Sequence, residues 1–368
     1  MDTTSILQIV SGFKPDVNGV GDFARQLGNA LLTQHSIKSH YLVYRRPQLP
    51  LNIKQTANSS ISYPSDATPP AFLSHLEELK ARNNFKTILL HYGPYAYSSS
   101  GTPRAFGNVI EGLATENDVI IYFHELYASG RPWRRAFWTE RQQKQCVRGL
   151  MTHAKVCVTS NAEYLQMLEK LNFNLRPLVK LPVISGVGEP KDLIPLDQRA
   201  KQIVVFGQPE NRARLYKLYS HTLAAICRML ALQTIVDVGT RGGLKIPNQV
   251  NQIPVKCTGW VDDEQLSDLL ASSTAGVIAY WPDVWEKSSV MAAYQAHAMV
   301  PVLVPLERRR TPTPAFVPYV VAEDLFRVSS NSGCVSNAIM QSIADAGHCY
   351  YVANQSVRHC AAVIASYV

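Results

Sequence analysis

The stretch that decides the fold is residues 258–301, which read TGWVDDEQLSDLLASSTAGVIAYWPDVWEKSSVMAAYQAHAMVP. A helical pattern runs to Ser273, the apolar run Ala275–Tyr280 predicts a buried strand, and a second helical pattern continues through Met299. Pro301 then opens another apolar run. Because strands that alternate with helices are typical of parallel sheets, this stretch predicts a doubly wound α/β domain.

The same alternation extends over the whole chain. Further strands are predicted at 6–10, 40–44, 87–92, 119–124, 156–159, 178–183, 203–206, 234–238, 255–259, 301–304 and 319–321. The segment between the two series carries prolines and charges without periodicity, which is typical of a linker. We therefore expect an N-terminal domain over 1–185, a linker over 186–200, a second domain over 201–348 and a C-terminal helix over 349–368 that crosses back to the first domain.

Residues 258–301 resemble the donor domain of retaining glycosyltransferases of the GT-B fold, family-4-like (glycosyl transferases group 1). In that family a G-x-V-x-x-E-E-L helix, a strand and a Glu-x7-Glu motif lead to A-M-A-x-G-x-P-V. Glu286 stands at the first glutamate, whereas the second position holds Tyr294. The resemblance implies two doubly wound Rossmann-like domains facing a central cleft. It covers nearly the whole chain in element order but is specific only from Gly259 to Pro301.

The resemblance also implies an activity. A hexosyl group would move from a UDP- or GDP-linked sugar to an acceptor hydroxyl with retention, without a cofactor and without a divalent metal. Glu286 inherits the contact with the donor sugar, and Tyr294 inherits the ribose contact. No D-x-D segment stands at a strand end, and Asp262 with Asp263 is better interpreted as a helix cap than as a metal site.

Cations for the leaving diphosphate are expected after the first strand of the second domain. Gln208 occupies the position of the family's arginine, and Arg212 and Arg214 lie near that of its lysine, so either arginine is a candidate. Gly207 belongs to the same turn. The alternative is a solvated helix face.

A second anion site is predicted directly after Glu286. Lys287, Ser288 and Ser289 stand at a helix start, where backbone N–H groups and hydroxyls suit a diphosphate. Ordinary N-capping by one of the serines is the alternative.

Two further loops follow strands at the edge where nucleotides bind in open sheets. Gly239, Thr240 and Arg241 form the first loop, and Trp260 and Val261 belong to the second. We predict that they contact the nucleotide base, ribose or phosphate.

The acceptor side is assigned to the first domain. His124 and Glu125 end a predicted strand at the position where the family has a histidine, often followed by an acidic residue, facing the cleft. His124 is predicted to orient the sugar and the acceptor hydroxyl, while Glu125 is either a general base or a neighbour of a helix cap. His91, at the end of another strand, is interpreted either as an acceptor contact or as a satisfied core histidine.

A glycine turn follows the first strand. Gly19, Gly21 and Ala24 match G-x-G-x-x-A, but about eight residues separate this turn from Val10, more than a dinucleotide fingerprint allows. Gly19 and Val20 are assigned to the acceptor side and Gly21 to the diphosphate, with a plain turn as the alternative. The arginines after strand two, at 45 and 46, keep an NADP-dependent oxidoreductase open as another class of enzyme.

A basic and aromatic segment lies between Arg131 and Arg148. It contains Trp133, Phe137 and Trp138 among its cations. We expect a solvated helix face with the aromatic rings in the core; docking on anionic lipid is the alternative.

Composition limits the partners and the location. A net charge of +8 favours an anionic partner, but neither zinc-finger spacing nor an RNA-recognition signature is present, so nucleic acid is not expected. The expected acceptors are a glycan, a lipid-linked molecule or a small molecule. No apolar run spans a membrane and no secretory leader is recognised, so the expected location is cytoplasmic, with peripheral contact at the inner membrane face as an extension. A catalytically silent nucleotide-binding partner or scaffold stays open, because Gln208 and Tyr294 depart from the family pattern.

Overall fold

The computed structural model describes residues 4–13, 19–45, 60–66, 68–128, 130, 133, 135–240, 242–306, 317–328 and 333–368. The chain forms two compact units. One comprises Met1–Pro182 together with Val357–Val368, and the other comprises Val183–Ser356. Both units are α/β.

The first unit is built on a parallel sheet. Its strands are β1 (Thr4–Val10), β2 (Ile37–Val43), β3 (Ser60–Ser62), β4 (Thr87–Tyr92), β5 (Asp118–Phe123), β6 (Val156–Thr159) and β7 (Leu178–Lys180). They lie in the order β3-β2-β1-β4-β5-β6-β7, and every pair is parallel. The connecting helices are α1 (Gly19–His35), α2 (Pro69–Arg82), α3 (Arg104–Leu113), α4 (Arg135–His153) and α5 (Ala162–Glu169). The chain reverses its direction of winding at β1 and β4, which is the doubly wound topology.

The second unit repeats this architecture. Its strands are β8 (Ala200–Phe206), β9 (Thr234–Val238), β10 (Gln249–Val250), β11 (Ile253–Gly259), β12 (Ser273–Tyr280), β13 (Val300–Pro305) and β14 (Val320–Val321). Their order is β10-β11-β9-β8-β12-β13-β14, parallel throughout except for the β10–β11 pair. Its helices are α6 (Pro209–Leu218), α7 (Ser220–Met229), α8 (Asp263–Ala271), α9 (Ser289–Ala296), α10 (Ala322–Val328) and α11 (Asn337–Asn354). Short 3₁₀ turns lie at Leu196–Gln198 and Pro282–Lys287.

The last helix, α12 (Val357–Ala365), belongs to the first unit, where it packs on α1. Its buried face consists of Cys360, Ala361 and Ile364. These small and branched side chains allow close approach of the two helices. Among the described residues no helix combines the length and the apolar character needed to cross a membrane.

The predicted α/β class with two doubly wound halves is confirmed, and each predicted strand forms in the structure. The prediction missed two strands, β3 and β10. They have 3 and 2 residues, too few for a periodicity of two to show in the sequence. The predicted cap at the start of α8 is also confirmed, since Asp262 and Gln265 form a capping box.

Candidate functional site

The carboxyl edge of the second sheet gathers most of the residues predicted to bind the donor. The neighbouring strands β11, β9, β8 and β12 run parallel, so the loops that follow them meet at one edge. Gly207 leaves β8 with φ +113° and Gly239 leaves β9 with φ +129°, values that only glycine adopts readily. The Gly239 N–H donates to the Gly259 carbonyl over 2.8 Å, which ties two of these loops together.

Arg212 lies beneath this edge rather than on it. Its side chain is 1 % exposed. Its Nε donates to Asp237 Oδ2 over 3.2 Å and its Nη2 donates to Asp237 Oδ1, a bidentate ion pair. Tyr216 donates to the same carboxylate over 2.9 Å, and Arg212 Nη1 donates to the Thr240 carbonyl over 2.8 Å.

The contact between Arg212 and the diphosphate therefore stays a prediction, which this arrangement does not favour. The guanidinium is hydrogen-bonded to Asp237 and to the backbone of the loop after β9, and the side chain is buried. Arg212 instead fixes that loop, because a guanidinium presents its donors in one rigid plane. A Cβ at Gly239 would come within 2.7 Å of Arg212 Nη1, which explains a glycine there.

Arg214 is the arginine of α6 that remains partly exposed. Its guanidinium carbon lies 5.5 Å from the centre of the Trp281 ring, and its Nη1 donates to Asn211 Oδ1 over 3.0 Å. Trp281 follows β12, so this contact links the loop after β12 to α6. A guanidinium held over an indole keeps its charge and its remaining donors directed outward, where an anion can meet them.

Glu286 lies in the short 3₁₀ turn after β12 and is 6 % exposed. Tyr350, from α11, donates its phenol hydroxyl to Glu286 Oε1 over 2.7 Å. Burial and the Glu286 carboxylate together raise the pKa of Tyr350, so the phenol keeps its proton and continues to donate. The sequence offered no signal for Tyr350, because the two residues are distant along the chain.

Lys287, Ser288 and Ser289 follow directly, at the start of α9. The Ser288 hydroxyl accepts from the Met291 N–H over 3.1 Å, which makes Ser288 the N-cap. Ser288 is buried, whereas Lys287 and Ser289 are half-buried. The capping alternative therefore applies to the Ser288 hydroxyl, and the other two side chains remain diphosphate candidates.

Tyr294 does not reach this edge. Its side chain is fully buried, and its hydroxyl lies 3.0 Å from the Val204 carbonyl and 3.2 Å from that of Val277. The ring occupies the space where a Cβ at Gly276 would stand. The phenol is part of the core beneath the sheet, so the ribose contact stays a prediction, which this arrangement does not favour.

The remaining nucleotide candidates lie on the same edge. Trp260 is 73 % exposed and Thr240 is exposed, while Gly239 and Val261 are half-buried. Arg241 lies outside the described residues. An exposed indole at a strand end offers a flat apolar surface suited to stacking on a base.

In the first unit, His91 and His124 lie side by side near the carboxyl ends of β4 and β5. His91 Nδ1 and His124 Nε2 are 3.0 Å apart, and His91 Nε2 lies 2.9 Å from Gln8 Oε1. Burial lowers the pKa of His91 to about 3. Both ring nitrogens of His91 are engaged and the ring is buried, so its surroundings favour the interpretation as a satisfied core histidine; the acceptor contact stays a prediction.

The glycine turn becomes the start of α1. Gly19 and Val20 are the first two residues of the helix, and Gly21 is buried against the carbonyl oxygen of Gly12. A side chain at Gly21 would collide with that backbone, so close packing accounts for this glycine. Gly21 belongs to the first unit, whereas the other diphosphate candidates belong to the second. Glu125 is exposed after β5.

The aromatic residues of the basic segment are not in the core, contrary to expectation. Trp133 and Trp138 are 71 % and 72 % exposed, and Phe137 is exposed as well. The inward face of α4 is supplied instead by Val147 and Leu150. Docking of the exposed face on anionic lipid stays the alternative.

Two polar residues of the site were missed from the sequence. Asp237 stands in the apolar run TIVDV, and Gln8 stands in the apolar run SILQIV. A polar residue inside a buried strand was the available signal, because such groups need partners. Within the described ranges, no group of three or more His, Cys, Asp or Glu side chains is arranged to hold a metal ion.

Comparisons by sequence give no relative. No family model matches the chain. No curated protein matches it either.

Solved structures resemble the chain over its full length. An α-glucosyltransferase in complex with UDP and a 13-mer DNA containing an HMU base superposes with a TM-score of 0.60 at 11 % identity, covering 99 % of both chains. A glycosyltransferase from Rickettsia africae gives 0.59 at 13 % identity, covering 100 % of this chain and 98 % of that one. The UDP-forming α,α-trehalose-phosphate synthase from Burkholderia vietnamiensis gives 0.55 at 10 % identity, covering 99 % and 98 %. The chain has the GT-B fold of these glycosyltransferases, as predicted.

The exclusion of nucleic acid as a partner is wrong. A protein of the same fold over its whole length has been solved with DNA. The signatures sought in the sequence belong to zinc fingers and RNA-recognition modules, whereas DNA binding needs only surface cations placed against phosphates. Such cations leave no spacing pattern in a sequence.

Proposed function

We propose that the protein is a glycosyltransferase that moves a sugar from a nucleoside-diphosphate sugar to an acceptor hydroxyl with retention of the anomeric configuration. The observation that carries the proposal is the composition of the carboxyl edge of the second sheet. This edge combines Glu286, Lys287 and Arg214 with the start of α9. Proteins of this fold that are solved with UDP or UDP-glucose support a uridine donor. A silent scaffold and an NADP enzyme are not favoured.

Each part of this edge has a chemical task in the proposal. When the bond between the anomeric carbon and the diphosphate breaks, the departing oxygens gain negative charge. Arg214, Lys287 and the N–H groups at the start of α9 stabilise that charge. Because the chain itself supplies these cations, we propose that no divalent metal is needed. Trp260 stacks on the base.

Glu286 is proposed to hold hydroxyls of the donor sugar. Its Oε1 accepts from Tyr350, which fixes the carboxylate, and each carboxylate oxygen can accept more than one hydrogen bond. A carboxylate held in this way orients the sugar ring before the reaction, which lowers the entropic part of the barrier. On the first unit, His124 is the residue proposed to orient the acceptor hydroxyl.

The test combines binding with transfer. Calorimetric titration with UDP, GDP, ADP and NADP identifies the base. Incubation with the matching sugar nucleotides and a panel of acceptors then identifies the product, and the panel includes a DNA oligomer containing an HMU base. Retention is checked from the anomeric configuration of the product by NMR. Chelation by EDTA is expected to leave the rate unchanged.

Glu286→Gln is the decisive variant. It keeps the side-chain size and an oxygen for Tyr350, and it is expected to lower kcat/KM about a hundredfold. Glu189→Gln is the matched control, because Glu189 accepts from the phenol of Tyr351 over 2.9 Å, also from α11. Equal rates for the two variants, with unchanged thermal unfolding, would contradict the assignment of Glu286. Binding of NADP alone would contradict the class of enzyme.

A further inference from the structure

Four polar side chains form a diagonal row across the first sheet. Ser39, Gln8, His91 and His124 lie on or directly after the adjacent strands β2, β1, β4 and β5, and all four are buried. Ile6 pairs with Ser39, Gln8 pairs with Leu89 and His91 pairs with Tyr122. Each member therefore lies two residues beyond the register partner of the previous one. Since alternate residues share a face, the row climbs one face of the sheet to the carboxyl edge.

The hydrogen bonds in this row have a fixed direction. Gln8 Nε2 donates to Ser39 Oγ over 2.8 Å, so the Gln8 Oε1 atom faces His91 Nε2. An amide oxygen only accepts, and therefore His91 Nε2 carries the hydrogen. With His91 neutral, its Nδ1 has a lone pair, and His124 Nε2 must donate to it.

The surrounding rings hold the two imidazoles in place. Tyr122 stacks on His124 with ring centres 4.3 Å apart, and Phe23 of α1 meets His124 edge-on at 5.3 Å. The groups facing His91 are Gln8 from β1, Phe23 from α1, and Tyr122 and His124 from β5. Tyr97 donates its hydroxyl to the His91 carbonyl over 2.8 Å. Two side chains in this set can titrate, Tyr122 and His124. Both rings stack on His91, and His124 also shares a hydrogen bond with it.

We infer that Gln8 and His91 are positioning residues that commit Nε2 of His124 to this row, so that any hydrogen bond from His124 to an acceptor hydroxyl uses Nδ1. In neutral His124 that atom accepts, which suits a hydroxyl that must lose its proton as it attacks. The inference rests on the proposed function of His124. It assigns Gln8 to the reaction although Gln8 lies two strands away from His124.

The first experiment measures tautomers without reference to activity. Two-bond ¹⁵N–¹H spectra of ¹⁵N-histidine protein are expected to show His91 and His124 both protonated at Nε2 at pH 7. Gln8→Met removes the amide oxygen at nearly constant volume and is expected to abolish the single tautomer of His91. Gln8→Glu keeps an acceptor oxygen and is expected to preserve that tautomer.

The second experiment measures transfer kinetics of the full chain. Gln8→Met is expected to lower kcat about tenfold to a hundredfold, because a histidine in the wrong tautomer loses its role in the reaction, with the donor KM unchanged. Gln8→Met is also expected to shift the dependence of kcat on pH. Gln8→Glu is expected to rescue kcat. A merely structural role would not be rescued by an added charge.

The outcomes separate the two proposals. If His124→Ala abolishes transfer while Gln8→Met leaves the His124 tautomer and kcat unchanged, the inference is overturned and the proposed function stands. If His124→Ala leaves transfer unchanged, the acceptor role of His124 fails and the inference fails with it. Loss of the His91 tautomer together with lower kcat in Gln8→Met, restored by Gln8→Glu, supports both.

Discussion

Arg212 and Asp237 form a buried bidentate ion pair that joins α6 to the end of β9. Arg212 also holds the loop after β9 in place, through its hydrogen bond to the Thr240 carbonyl. Removing one partner leaves an uncompensated charge in the core, which costs about 3–5 kcal/mol. We therefore expect Arg212→Met to lower the free energy of unfolding of the second unit by roughly that amount, measured by urea titration.

The double variant Arg212→Met with Asp237→Leu provides the control. Replacing both charges by apolar side chains of similar volume is often close to neutral, so the double variant is expected to recover most of the lost stability. If both variants are equally unstable, the loss comes from packing rather than from the orphaned charge.

Tyr294→Phe distinguishes a core tyrosine from a ribose ligand. The hydroxyl meets two backbone carbonyls beneath the sheet, so its loss is expected to lower the free energy of unfolding by about 1 kcal/mol. The dissociation constant for the nucleotide is expected to stay within twofold of the unchanged protein. Tenfold weaker binding of the nucleotide, with an unchanged free energy of unfolding, would instead support the ribose assignment.

Arg214→Met tests the partly exposed arginine of α6. We expect nucleotide binding to weaken about tenfold at low salt, because one charge near the diphosphate is lost, and the difference to shrink at high salt as screening increases. Lys217→Met removes the same charge from an exposed position on the same helix and serves as the control. Calorimetry at two ionic strengths compares them. Equal effects of both variants would mean that only net charge matters.

The sequence predicts the elements of this fold better than the environment of its polar residues. The periodicity of strands and helices can be recognised in a single sequence because each element buries one face or one stripe. The apolar runs that form β8 and β12 illustrate this. The resemblance predicted roles for Tyr294 and for either Arg212 or Arg214, yet the sequence cannot say which of two arginines on one helix points inward. That choice depends on Asp237, 25 residues from Arg212 along the chain, and on the packing of Tyr294 over Gly276.

The last prediction concerns stability in mild acid. Burial lowers the pKa of His91 to about 3 and that of His297 to about 4, whereas an unfolded histidine has its ordinary value of 6.5. Between these values the unfolded state binds more protons than the folded state, so stability is fully present above pH 6.5 and is lost progressively as the pH falls toward the folded values. Each histidine contributes a slope of at most about 1.4 kcal/mol per pH unit.

Urea titrations at pH 7.5, 6 and 5 measure this slope. The two histidines belong to different units, so His91→Asn is expected to flatten the pH dependence of the first unit, and His297→Asn that of the second. Both variants are expected to lower the stability at pH 7.5, because each ring makes two hydrogen bonds, both of them buried for His91 and one of them for His297. The slope, not the level, is therefore the decisive quantity: an unchanged slope in His91→Asn would show that this imidazole is protonated in the folded protein, which would also break the hydrogen bond from His124.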